Sequence, residues 1–467
     1  MRTISDSSST TKLAKAIIIS LCPFFLVHTE TFFRVSITAM VSASNQEQPV
    51  EDASGASTSQ ESSAAPSQPL CKFDRYWLQK LVLKHAGRPI PSDSEDLKAV
   101  KIYASAPMVD QSDLPYRLQC RRYGTNICFT PMIHAKQFTT SAAYRKKFKL
   151  TNSPEADRPL IAQLCGGTDP ETMLQCALQL QDYCDGIDIN CGCPQGIARR
   201  GNYGAFLLEK EETLLTLVKY LVPRLKVPLS VKVRLLPEED VAKRLTASLA
   251  LYRKLADAGI HLLTIHGRTR LQKANMTGPA DWSAIASAVE QLGDKIPILA
   301  NGSIGSAQDV MECLQKTHVD GVMSSEAILE YPPLFQPLTL EGDLDTKAKP
   351  RVGRVHLARE YLELAREYPP DRGGQGNGLK CVRVHMHRFL HGDLQVHTSV
   401  RDMIVRSKSL EDLEAALDAL EKIHEEVNHS VEDETLAWYV RYRNTKPKEQ
   451  TKDDSAMPDA EPTTKEQ

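Results

Sequence analysis

Cys191-Gly-Cys193-Pro194 follows directly on Asn190 at the end of a short apolar run. A thiol placed there could donate a proton, attack an electrophile or bind a metal. No metal site is expected, because no second cysteine pair stands at zinc-ribbon distance and no paired carboxylates accompany the thiol. Other polar residues close similar runs. They are Gln163, Lys232 with Arg234, His266 with Arg268, and Asn301 with Gly302, while Pro107-Met108 and Met323-Ser324 end two more. Together they suit an anionic cofactor with a hydrogen-bonding ring. Gln163, Lys232 and His266 could meet the polar edge and ribityl chain of a flavin. Turns near Gly302 and Ser324 could bring backbone N–H groups to its phosphate. A lysine near an electron-poor ring also stabilises the charge of its reduced form. Taken singly, each residue has a plainer role: Cys193 as a small buried apolar group, His266 as a hydrogen-bonded one, Lys232 as a solvated one. Their common position at run ends is what makes them a candidate site.

Eight short apolar or β-branched runs carry these residues: Ile102–Ala106, Ile127–Thr130, Leu160–Leu164, Gly186–Ile189, Pro228–Val233, Leu262–Ile265, Pro297–Ala300 and Gly321–Ser324. Amphipathic helical stretches such as Glu171–Cys184 and Val241–Ala258 separate them, with apolar residues three and four apart. Strand and helix in alternation, with no G-x-G-x-x-G turn, predict an α/β fold of the (β/α)8 TIM-barrel type over residues 97–345. In such a barrel the strands' C-terminal ends form the working face. After Arg351 the strand pattern stops. Val355–Glu367, Leu379–Leu390, Leu394–Val405 and Leu410–Val427 read as helices, giving a separate all-α helical domain over 346–435. Its first part is basic and its last helix acidic. A second basic patch, Arg145-Lys-Lys147 with Lys149, lies in the barrel. Such runs are either solvated faces or surfaces that track a phosphate backbone.

The chain has 467 residues and a formal net charge of -2, so any nucleic-acid surface must be a local patch. Its 11 cysteines are scattered, which points to a reducing compartment rather than a disulfide framework. Residues 41 to 70, rich in Ser, Ala, Gln and Glu, and the charged tail 436–467 are expected to be disordered. With them, residues 1–96 read as a largely disordered extension. Its apolar run Ala16–Val27, interrupted by Pro23, leaves three readings open: a signal core, an organelle presequence, or a true start at Met40. It is too short to span a membrane, so no stable membrane association is expected. The expected locations are the cytoplasm and the nucleus, with organelle targeting left open.

Several motifs taken together resemble the tRNA dihydrouridine synthases, over roughly residues 100 to 430. They are Asn190-Cys-Gly-Cys193-Pro194 with Gly201-Asn-Tyr-Gly204-Ala205, Ala106-Pro107-Met108-Val-Asp110, Ala162-Gln163-Leu164, Val231-Lys232-Val-Arg234, His266-Gly267-Arg268-Thr269 and Ala300-Asn301-Gly302. Thr277-Gly278-Pro-Ala280-Asp281-Trp282, Gly321-Val-Met323-Ser324-Ser-Glu326 and Leu394-Gln395-Val396-His397 resemble the eukaryotic type that acts on D-loop positions 16 and 17. Ser324-Ser-Glu326 departs from the G-R-G of bacterial members, which puts a side-chain contact to phosphate there in doubt. The resemblance implies reduction of uridine to 5,6-dihydrouridine in tRNA by bound FMN, with NADPH or NADH as a transient donor. A flipped-out uridine would take a hydride at carbon 6 and a proton at carbon 5, the proton coming from the Cys193 thiol. Cys191 would be dispensable. The resemblance assigns FMN contacts to Pro107, Met108, Gln163, Lys232, His266, Asn301, Gly302, Met323 and Ser324. It assigns the uracil edge to Asn190 and substrate contacts to Arg234, Arg268, Lys380, Arg383 and Arg388, with His387, Arg401 and Arg406 as further tRNA candidates. The protein is expected to act as a monomer. The alternative is an FMN barrel oxidoreductase for a small pyrimidine-like molecule, which has no use for a basic helical domain.

Overall fold

A computed structural model describes residues 72–429, apart from 149, 167, 274–276 and 372–375. The readings of the extension before residue 72, of the tail after 429 and of Lys149 lie outside the described residues. All eight expected strands form: β1 (Ile102–Ser105), β2 (Ile127–Phe129), β3 (Leu160–Cys165), β4 (Gly186–Cys191), β5 (Leu229–Leu235), β6 (Leu262–Thr269), β7 (Ile298–Asn301) and β8 (Gly321–Ser324). Each pairs in parallel with its neighbours, and β1 pairs with both β2 and β8, so the sheet closes into a barrel. The helices between strands begin where a short polar side chain accepts a backbone N–H. Asp169, Asp240, Asp281 and Ser306 do this after β3, β5, β6 and β7.

Alternation along the strands sorts the barrel interior into layers. Towards the N-terminal ends the inward residues are apolar, among them Ile102, Ile127, Ile161, Leu262 and Leu299. Two or four residues further on they turn polar, as with Gln163, Asp188, Asn190, Lys232, His266 and Asn301. The lower end is sealed by α1 (Trp77–His85), whose Trp77, Leu78 and Val82 join that apolar layer. The indole of Trp77 donates to the His261 carbonyl at 2.7 Å. Asp320, just before β8, accepts from Arg75 at 2.7 Å, Gln79 at 2.9 Å and the Ile298 N–H at 2.8 Å. Residues 72–96 are thus an ordered part of the extension read over 1–96, and its earlier part lies outside the described residues. Their few apolar positions are enough because the open barrel end offers them a ready cavity.

Beyond the barrel, α3 (Arg354–Glu367), α4 (Leu379–Phe389), α5 (His391–Val396), α6 (Thr398–Arg406) and α7 (Leu410–Glu426) form the helical domain. Here α3 packs on the barrel helix α2 (Leu114–Arg122), and both regions share one apolar cluster. The single helix expected over Leu394–Val405 is two. At His397 the backbone leaves helical geometry (φ -94°, ψ 73°), and its carbonyl accepts the Arg401 N–H to start α6. The charge split within the domain is largely internal. Arg359 of α3 pairs with Asp418 and Glu421 of α7, and Arg366 pairs with Glu414. No described helix is long and apolar enough to cross a membrane.

Candidate active site

The register of the sheet sets the polar residues side by side at the barrel's C-terminal face. Gln163 lies opposite Asp188, Asn190 opposite Lys232, Arg234 opposite His266, His266 opposite Asn301, and Asn301 opposite Met323. A cavity of about 280 Å³ opens over the ends of β5 to β8. Arg234, His266, Arg268, Asn301, Gly302, Met323 and Ser324 line it, with Pro194 and Gln195 from the loop that carries Cys193.

Beneath that loop runs a chain of hydrogen bonds. Ser230 Oγ donates to Asp188 Oδ1 at 2.5 Å, and Gln163 Nε2 donates to Asp188 Oδ2 at 2.7 Å. Asn190 Nδ2 donates to Gln163 Oε1 at 2.7 Å, and Asn190 Oδ1 accepts the backbone N–H of Cys193 at 3.0 Å and of Gly192 at 3.2 Å. The chain has one sense. An ionised carboxylate only accepts, so Gln163 must turn its amide nitrogen to Asp188 and its oxygen to Asn190. Asn190 then turns its own nitrogen to Gln163 and keeps its oxygen for the Cys193 N–H. Asp188, two residues before Asn190, thereby orients the cysteine loop. It was not among the expected site residues, although alternation from Asn190 puts it on the same inner face. Its complete burial lifts its carboxyl to about 6, against the pull of Ser230, Gln163 and Lys232. Gln163 and Asn190 thus spend most of their hydrogen-bonding groups on each other and on the loop.

Gly204 seals the loop from the other side. Its φ is +64°, and a Cβ there would lie 2.5 Å from the Cys193 carbonyl oxygen and 2.9 Å from the Cys193 Cβ. Cys193 packs against Cys165, Ala198 and Tyr203. Burial pushes its thiol up, and the pull of the Gln195 backbone, Arg234 and Lys232 does not reverse this. The group is therefore a neutral proton carrier near pH 7 rather than a thiolate. Cys191 faces outward into the helix layer and is fully buried.

The opposite wall is cationic. Lys232 Nζ donates to Asn301 Oδ1 at 2.8 Å, and Asn301 Nδ2 to the Met323 carbonyl at 2.9 Å. Burial, then Arg234, lowers Lys232 to about 8. Arg234 donates to the carbonyls of Gly192 and Thr269, both at 2.8 Å, and burial followed by Arg268 lowers it to about 10. Arg268 donates to the Gly278 carbonyl at 2.7 Å and to His266 Nε2 at 3.1 Å. A guanidinium cannot accept, so Nε2 is the bare nitrogen of a neutral imidazole. Burial together with Arg234, Lys232 and Arg268 holds His266 well below its usual range. At Gly302, with φ +102°, a Cβ would meet His266 Cδ2 at 2.8 Å and Ala280 Cβ at 2.9 Å, so the cavity wall closes only over glycine. The Ser324 hydroxyl donates to the Ile304 carbonyl at 2.8 Å and is spent. Pro107 and Met108 stand at the end of β1 next to β8, where the Ala106 N–H donates to the Ser324 carbonyl. The donor set fits an anionic ring cofactor with a phosphate, because the buried Arg234 makes no ion pair with a carboxylate among the described residues and wants a negative partner.

The profile of the dihydrouridine synthase (Dus) family matches residues 104–428, which include barrel, cysteine loop and helical domain. The chain belongs to the dihydrouridine synthase family. It is 44% identical over 315 residues to the mouse (Mus musculus) "tRNA-dihydrouridine(16/17) synthase [NAD(P)(+)]-like", covering 68% of this chain and 60% of that one. Against the fission-yeast (Schizosaccharomyces pombe) "tRNA-dihydrouridine(16/17) synthase [NAD(P)(+)]" it is 36% identical over 314 residues, covering 66% and 74%. The aligned part of this dihydrouridine synthase family member thus spans three fifths of the mouse protein's length.

The expected tRNA contacts divide in the structure. Arg383 turns inward, donating to the carbonyls of Val405 at 3.3 Å and Ser407 at 3.0 Å, where it closes the C-terminus of α6. This adds a structural role to the phosphate contact expected of Arg383; carbonyls left over at a helix end are strong acceptors. Arg388 is half-buried. Lys380 is near both Arg383 and Lys147 of the barrel patch, and Lys147 donates to Asn377 at 2.7 Å. His387 is lowered to about 4 by burial and then by Arg401, His391 and Arg383. The two basic patches seen in the sequence therefore meet at Lys147 and Lys380, with Asp110 paired to Lys147 at 3.4 Å, while His387 is neutral at pH 7 and adds no charge.

Proposed function

We propose that this chain reduces uridine to 5,6-dihydrouridine in the D-loop of tRNA, at positions 16 and 17, with NADPH or NADH as electron donor. The observation that carries this reading is the Cys193 loop, fixed by the Asp188–Gln163–Asn190 chain beside a cationic cavity that its Pro194 and Gln195 line, with burial keeping the thiol neutral. The names of the mouse and yeast relatives support the D-loop positions. FMN, bound by Lys232, Arg234, His266 and the turns at Gly302 and Ser324, would supply a hydride and a flat surface for the base. The residues of the chain do the rest. Lys232 and Arg234 bring positive charge to the ring side of the cavity. The cysteine loop presents Sγ to the base, and the thiol proton passes to uracil carbon 5, leaving a thiolate that Arg234 and Lys232 stabilise until solvent reprotonates it.

Lys147 and Lys380, where barrel and helical domain meet, support a polyanionic substrate that reaches beyond the cavity. A small pyrimidine needs no such surface. The test is incubation of the purified protein with NADPH and unmodified tRNA, followed by mapping of dihydrouridine. Product at other D-loop positions would overturn the site assignment, and product from free uridine alone would overturn tRNA as the substrate.

A further inference from the structure

Three side chains in the helical domain converge far along the chain from the cysteine loop: Asp393 of α5, His397 at the break between α5 and α6, and His424 of α7. Their ligand atoms all lie within 4.8 Å of one another. We propose that they form a binding site for a divalent transition metal, with zinc as the best fit, which ties α7 to the α5–α6 junction.

The first observation is the carboxylate. The Asp393 side chain is only 9% exposed, yet among the described residues its one hydrogen-bond partner is His424 Nε2, at 2.8 Å. A carboxylate this well covered ordinarily faces a guanidinium, an ammonium or several N–H groups. Here it faces imidazole, which suits a metal centre. The second observation is His397. Its ring stands beside His424 (centroids 6.4 Å, 63° between planes), and its nitrogens have no hydrogen-bond partner among the described residues. The third is placement. Asp393 and His397 are four residues apart and joined by the 2.7 Å bond from the His397 N–H to the Asp393 carbonyl, so both side chains leave the same side of the chain. His424, 13% exposed, comes to them from α7. Its ring is covered by His429, stacked at 3.9 Å.

Two imidazoles and one carboxylate are a borderline-soft set that selects zinc over magnesium or calcium. Ligands held at about 2.0–2.1 Å from zinc in tetrahedral geometry stand roughly 3.3 Å apart. The three ligand atoms, within 4.8 Å of one another, lie close to this spacing.

The test uses the full chain without an affinity tag, dialysed against a chelator and then titrated with zinc chloride by calorimetry, with magnesium chloride beside it. The proposal expects one zinc per chain, a rise in the unfolding temperature and no heat from magnesium. His397→Ala is the decisive variant, because that ring makes no hydrogen bond whose loss would unfold the domain. It should bind zinc about tenfold more weakly or worse while melting at the same temperature without metal. His424→Ala should lose zinc as well, but with a lower melting temperature from its broken bond to Asp393. Equal zinc affinity in the wild type and His397→Ala would assign the ion to cysteines elsewhere and overturn the proposal, as would an absence of binding at 100-fold molar excess.

Discussion

Replacing Asp188 by asparagine probes the hydrogen-bond chain that holds the cysteine loop. The wild-type carboxylate is fully buried and sits at about 6 instead of 3.8. A folded-state value above the unfolded one means that the folded protein holds this proton more tightly. Stability from this group is therefore lost as pH rises through 4 to 6, and the loss is complete above that. The displacement corresponds to about 3 kcal/mol, of which about 1.5 kcal/mol develops between pH 5 and pH 8. Asparagine does not titrate, so the stability difference between wild type and variant must move in the variant's favour by that amount over this interval. A penalty independent of pH lies beneath it. With Oδ1 turned to Gln163 the new Nδ2 donates to the Ser230 hydroxyl, which accepts as well as donates; with Nδ2 turned to Gln163 one buried donor faces another, at about 1–3 kcal/mol. Gln163→Leu, by contrast, removes the link itself and leaves Asn190 Nδ2 without its acceptor. Urea unfolding at pH 5 and pH 8 reads the first effect. Alkylation of Cys193 by iodoacetamide, mapped by mass spectrometry, reads the second. A stability difference that is the same at both pH values would refute the titration of Asp188. Unchanged alkylation together with unchanged turnover in Gln163→Leu would remove the chain of amides from the positioning of Cys193.

Lys232→Met should melt higher than wild type at pH 7, because the buried ammonium, lowered to about 8, costs stability whenever it is charged. The gap should close as pH rises from 8 towards 10.5, where the unfolded chain also loses its proton; thermal scans at pH 7 and pH 10 check the sign. Gly204→Ala should lower stability by about 2 kcal/mol and cut turnover more than tenfold, since φ +64° and the 2.5 Å approach to the Cys193 carbonyl both exclude a methyl group. Normal activity in that variant would mean that the loop is more tolerant than its geometry implies. Arg383→Ala should cost about 1 kcal/mol of stability, read by denaturant unfolding, and leave the salt dependence of tRNA binding unchanged. Lys380→Ala with Arg401→Ala should instead flatten the slope of log affinity against log salt by about one to two; an unaltered slope would take both cations out of the tRNA site.

The barrel was legible because each strand is an apolar run closed by a turn, a signal that survives without tertiary information. The plug α1 was not. Trp77, Leu78 and Val82 make a weak stripe beside a polar extension, and only the barrel's open end gives them a place to go. The break at His397 was equally hidden, because α5 and α6 share one apolar pattern. At the site, strand ends pointed to Lys232, His266 and Asn301, and the register then joined them. Asp188 could have been found by counting two residues back from Asn190, but a carboxylate alone in a strand looks like a core oddity until its partners are seen. Arg383 shows the converse. A cation on a basic helix reads as a phosphate contact, and whether it instead closes a neighbouring helix depends on contacts more than 20 residues away. The Asp393–His397–His424 cluster draws on two distant stretches for the same reason.

The most direct test of the central claim is the dihydrouridine content of unmodified tRNA after incubation with NADPH and either wild-type protein or Cys193→Ala, measured by mass spectrometry. The proposed role of Cys193 as proton donor predicts dihydrouridine at D-loop positions 16 and 17 from the wild type. It predicts little or none from the variant, although the variant keeps the fold and the tRNA affinity. Full product from Cys193→Ala would contradict that role.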